Sequence, residues 1–135
     1  MKCRCKSALR ALVLLLTGWL ALIATAGIGC AADYRPLIGR WQRIDGGYVI
    51  DVRQVEPDGS IDARYLNPRT INVSQANAST LKGYLKIFLE LSDVGYPGST
   101  YTLIYDPEKD ILLGTYYQAV QRQNYDVIFV RMTRQ

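Results

Sequence analysis

Tyr48-Val49-Ile50-Asp51-Val52-Arg53 sets Tyr48, Ile50 and Val52 against Val49, Asp51 and Arg53. Glu56-Pro57-Asp58-Gly59 follows as a tight-turn signal, and Ile61, Ala63 and Tyr65 then alternate with Asp62, Arg64 and Leu66. A period of two on both sides of such a turn reads as a β-hairpin with one apolar face. Working outward, Asn67-Pro68 interrupts the pattern, since proline has no N–H for a central ladder. Thr70-Ile71-Asn72-Val73 is a short extended segment, and Ser74 to Ser79 reads as a loop or a single helical turn. Leu81 to Leu91 resumes the alternation, with Leu85, Ile87, Leu89 and Leu91 opposite Lys86, Phe88 and Glu90. Gly95-Tyr96-Pro97-Gly98 reads as a turn; Tyr101, Leu103 and Tyr105 alternate with Thr102, Ile104 and Asp106; Pro107-Glu108-Lys109-Asp110 turns again. Ile111 to Ala119 and Tyr125 to Met132 are the last strands.

Seven or eight short strands and no sustained helical periodicity predict an all-β chain. Closing a sequential meander removes its exposed edges, so the expected architecture is an antiparallel up-and-down barrel of about eight strands. Trp41 is the only tryptophan after the first thirty residues, and Arg131 lies in the last strand. A guanidinium stacked on that indole would tie the two ends of the sheet together.

Residues 1–29 read as a signal peptide. Lys2, Arg4, Lys6 and Arg10 form a basic start, Ala11 to Ala26 is apolar, and small residues lead into Cys30-Ala31-Ala32. Gly29-Cys30 is similar to the end of a bacterial lipobox, which predicts lipidation of Cys30; cleavage after Ala31 or Ala32 is the alternative. Residues 30–38 then form a short N-terminal arm and 39–135 the barrel. The net charge of +4 belongs to the leader, because it carries four of the sixteen basic side chains and none of the twelve acidic ones. The remainder is formally neutral, which argues against nucleic acid as a partner and leaves the membrane only through a lipid on Cys30. Cys3 and Cys5 depart with the leader, so no internal disulfide is expected and the core must hold the domain.

Gly39-x-Trp41 in the first strand with Arg131 in the last resembles the signature of the calycin superfamily, which includes lipocalins and avidins. The avidin-like start is the closer resemblance: Gly39-Arg40-Trp41, Gly46-Gly47, Tyr48-Val49-Ile50, Asp58-Gly59 and Tyr65 fall in a similar order. Leu112-Leu113-Gly114-Thr115-Tyr116 resembles a later avidin strand, with Leu112 where that strand carries tryptophan. The resemblance implies the barrel, with Gly39, Trp41 and Arg131 as its structural lock. It does not extend to biotin: Arg43 stands near the first-strand asparagine position, and of the biotin-contacting set only Tyr65 has a match.

All ten tyrosines lie after the leader. If Trp41 points inward, alternation brings Arg43 inward as well, and the same rule selects Tyr48, Tyr65, Tyr101, Tyr105 and Tyr116. Phenols and a guanidinium could hold a small ligand through an anionic or carbonyl group. The competing reading is that the rings only fill the barrel. Histidine is absent and no nucleophile–base motif appears, so neither an enzyme nor a cofactor or metal is expected. The expected function is that of a bacterial envelope binding protein in the periplasm or outer membrane; the alternative acts through protein contacts, as periplasmic protease inhibitors with a blocking arm do. Val127, Phe129 and Arg131 oppose Ile128, Val130 and Met132, and this apolar second face predicts a homo-oligomer.

Overall fold

The computed structural model describes residues 31–133, so the leader and Cys30 lie outside the described residues. A 3₁₀ turn at Arg35–Leu37 precedes nine strands: β1 (Gly39–Arg43), β2 (Val49–Val55), β3 (Ile61–Asn67), β4 (Arg69–Ile71), β5 (Val73–Leu81), β6 (Tyr84–Asp93), β7 (Tyr96–Asp106), β8 (Ile111–Gln118) and β9 (Gln123–Arg131). All pairings are antiparallel, in the order β4-β3-β2-β1-β9-β8-β7-β6-β5. This is the expected up-and-down barrel, nearly closed and with a calycin-like layout. Only Asn72 separates β4 from β5, so the two act as one stave that pairs first with β3 and then with β6.

Between β3 and β5 the wall is held by one bridge, Ser60 to Asn77, and by the Ala78 amide, which donates to Gly59 O at 2.6 Å. Gly59 has φ +90, and a Cβ there would stand 2.3 Å from Ala78 O. Only glycine lets the β2–β3 turn approach this closely. On the other side of the same stave, the Asn72 amide donates to Asp93 Oδ2 at 2.9 Å and Ser92 N–H donates to Asn72 O at 3.0 Å, fixing the crossing to β6.

Three local expectations are corrected. Ser74 to Ser79 is neither loop nor helical turn but the body of β5, because its backbone pairs along almost the whole of β6. Its polar residues look out while Ala78 is buried, and that pairing overrides the turn preference of Ser and Asn. Leu81 ends β5 rather than opening the next strand; Lys82 (φ 50) and Gly83 (φ 85) make a two-residue turn with both residues left-handed. Tyr96 to Gly98 lies within β7, where Gly98 (φ 81) is the extra residue in a register shift opposite Leu91 and Ser92.

The interior is filled by Trp41, Ile50, Val52, Tyr65, Ile87, Leu89, Leu91, Tyr101, Leu103, Leu112 and Phe129, all nearly inaccessible. Alternation puts a second apolar set outside. Ile44 N–H donates to Ile128 O, Ile128 pairs with Leu113, and Leu113 pairs with Ile104, so an aliphatic row runs from the β1–β2 turn across β9, β8 and β7. Ile44, Leu113, Ile128 and Val130 in and beside this row are 38–61 % exposed.

Candidate functional site

The two ends of the barrel differ. At the base the chain approaching β1 folds inward: Leu37 is completely buried, and Trp41 Nε1 donates to its carbonyl at 2.9 Å. The Arg131 guanidinium lies 4.0 Å from the centre of the Trp41 ring, as the sequence led us to expect. Its Nη1 donates to Ile38 O at 2.8 Å and its Nη2 to Pro36 O at 2.7 Å, while Nε and Nη2 reach the Asp110 carboxylate at 2.7 and 2.9 Å. Gly39 belongs to this cluster, because a Cβ there would stand 2.7 Å from Arg131 Nη1. Tyr105 is here too, donating to Asp110 Oδ1 at 3.0 Å and meeting the Trp41 ring edge-on. Arg131 holds the Asp110 carboxyl below the usual carboxylate range through hydrogen bonds.

The opposite end carries the β1–β2, β3–β4, β6–β7 and β8–β9 turns and opens into a cavity of about 370 Å³. Arg43, Tyr48, Tyr65, Tyr96, Tyr116 and Tyr125 form its walls, with Gln118 and Gln121 from the end of β8 and the turn after it. Arg43 follows Trp41 on the inner face of β1. Its guanidinium lies 4.4 Å from the Tyr48 ring centre and 5.8 Å from that of Tyr116. Its Nε and Nη2 make a bidentate pair with Asp45, the second bond 2.7 Å long, and its Nη1 reaches Tyr101 Oη at 3.3 Å. The pair stabilises both charges: Arg43 is held above its ordinary pKa and Asp45 below its own, in each case chiefly by that hydrogen bonding.

Beneath the cavity the rings are continuous. Tyr101 stacks on Tyr116 at 4.5 Å, meets Phe129 edge-on and shares a 2.8 Å hydroxyl–hydroxyl bond with Tyr65. Burial pushes the Tyr101 phenol up to about 12 and raises Tyr65 and Tyr116 as well, so all three stay neutral across the physiological range. Tyr96 packs edge-on against Tyr65, and its hydroxyl accepts a hydrogen bond from Asn67 Nδ2 across the mouth. Tyr125 donates to Gln121 Oε1 at 2.7 Å.

Of the expected inward set, Arg43, Tyr48, Tyr65 and Tyr116 line the cavity, Tyr101 supports it from below, and Tyr105 stands at the base. Tyr96, Gln118, Gln121 and Tyr125 were not anticipated. Tyr125 was within reach, since it continues the inward series of Val127, Phe129 and Arg131 by two residues. Tyr96 was hidden inside an apparent turn, and the glutamines looked like ordinary loop polarity. The cavity thus offers flat apolar walls with hydroxyl and amide groups at their edges and the Arg43 guanidinium on one side. Comparison with protein-family models, curated proteins and solved structures finds no match to this chain.

Proposed function

We propose that this chain is a non-enzymatic binding protein of the bacterial envelope, exported by its leader, that holds a small ligand at the open end of the barrel. The observation that carries the reading is the asymmetry between a base packed shut by Leu37, Trp41 and Arg131 and a mouth that keeps about 370 Å³ lined by tyrosines and glutamines. That volume lies in the range of small-molecule sites. Burial that raises the Tyr65, Tyr101 and Tyr116 pKa values favours binding over acid–base chemistry near neutral pH. The protein-contact alternative draws less support, because Pro36, Leu37 and Ile38 are engaged by Arg131 and Trp41 and so do not form a free blocking arm.

Native mass spectrometry of the purified protein tests this. A retained small molecule is expected, lost in Tyr48→Ala or Gln121→Ala at unchanged melting temperature. Retention of a partner protein, with no small molecule, would replace the reading by the alternative.

The outer aliphatic row supports a second part of the proposal, that the protein self-associates. The row is uncharged, so a second copy can cover it without like-charge repulsion, and the sheet beneath it is fully paired.

A further inference from the structure

Among the described residues, Arg43 is the one charged side chain that lines the cavity, and its charge is already answered. Three of its N–H groups are committed, two to Asp45 and one to Tyr101. Asp45 itself is roughly half exposed in the β1–β2 turn, which also carries Gly46, Gly47 and Tyr48, whose ring covers the same guanidinium. The remaining polar groups of the wall are phenols and carboxamides, neutral donors and acceptors. A ligand carboxylate would have to face Asp45 or break its bidentate pair, and it would lose its own hydration in doing so. A neutral ring meets no such obstacle; it can lie against the tyrosines and reach the glutamine amides.

We infer that the cavity selects uncharged, flat ligands, and that Asp45 is the residue that sets this selectivity by neutralising Arg43. Of the anionic and carbonyl ligands that the arginine alone suggests, this keeps the uncharged carbonyl and drops the anion. It rests on the small-ligand reading of the open end and deepens it by naming the ligand class. Asp45 acts as a charge filter: with its carboxylate removed, the same arginine becomes an anion receptor framed by two aromatic faces.

Benzamide and benzoate, matched in size and differing in charge, serve as probes in NMR titrations of the wild-type protein and of Asp45→Asn at neutral pH. The amides of Tyr48, Gln118 and Gln121 report on the cavity. The wild-type protein should bind benzamide about tenfold more tightly than benzoate, and Asp45→Asn should reverse the order. Tighter binding of benzoate by the wild type, or an unchanged ratio in Asp45→Asn, overturns the inference while leaving the cavity as a binding site. If neither probe shifts those amides up to its solubility limit, the binding site itself is refuted and the inference with it.

Discussion

Arg131 sits where the last strand meets the first and satisfies, with one guanidinium, a carboxylate, two main-chain carbonyls and an indole face. Replacing it by alanine leaves the Pro36 and Ile38 carbonyls without that donor and exposes the Trp41 ring. Arg131→Ala should cost roughly 3 kcal/mol, a fall in Tm of more than about 10 °C for a domain of this size. Ligand affinity should not change, because the cavity is at the other end; affinity loss at unchanged Tm would reassign the residue. Asp110 adds a pH signature. Its folded pKa is depressed, so its contribution is complete above the unfolded value and disappears as pH falls through the folded one. The Tm difference between wild type and Asp110→Asn should therefore be constant above about pH 5 and shrink below about pH 4. Asparagine tolerates the left-handed backbone of that position (φ 51), so the comparison isolates the charge. The pairing of Trp41 with Arg131 was readable because each is chemically conspicuous at its end of the chain. Asp110 was not, since a carboxylate in a Pro-Glu-Lys-Asp turn looks like turn chemistry until folding brings it under the arginine.

Strands that set apolar against mostly polar residues, such as β2, β3 and β7, were legible because side-chain period reports directly on a two-faced wall. The β4–β5 stave was not. Its Ser, Asn and Ala residues carry little hydrophobic contrast, and its conformation is imposed by β6 on one side and the β2–β3 turn on the other. That dependence makes Gly59 the point at which the seam can be tested. Gly59→Ala meets both an unfavourable φ and the Ala78 carbonyl. Strain of this kind costs roughly 1–3 kcal/mol, and the amides of Asn77 and Ala78 should exchange with solvent faster than those of β8, which remain paired on both sides. Equal acceleration in both strands would mean that the seam is not the weaker part of the wall. The cavity followed the same division: Arg43, Tyr48, Tyr65 and Tyr116 were accessible from alternation, whereas Tyr96 and the glutamines are joined to them only by how the turns converge.

For the whole molecule, the outer row of Ile44, Ile128, Leu113 and Ile104 should decide whether the chain works alone. Light scattering at micromolar concentration is expected to give a mass above that of one chain, and Ile128→Lys should return it to the monomer with the barrel intact by circular dichroism. A monomeric wild type would remove self-association without touching the cavity. The closed base has one more consequence. The 3₁₀ turn that seals it lies only a few residues after Cys30, so a lipid on that cysteine would moor the barrel by its sealed bottom. The protein would then stand on the membrane like a cup on a table, its tyrosine-lined mouth turned toward the aqueous phase and away from the bilayer. A ligand would arrive from solution rather than from the lipid, in keeping with walls edged by hydroxyls and amides.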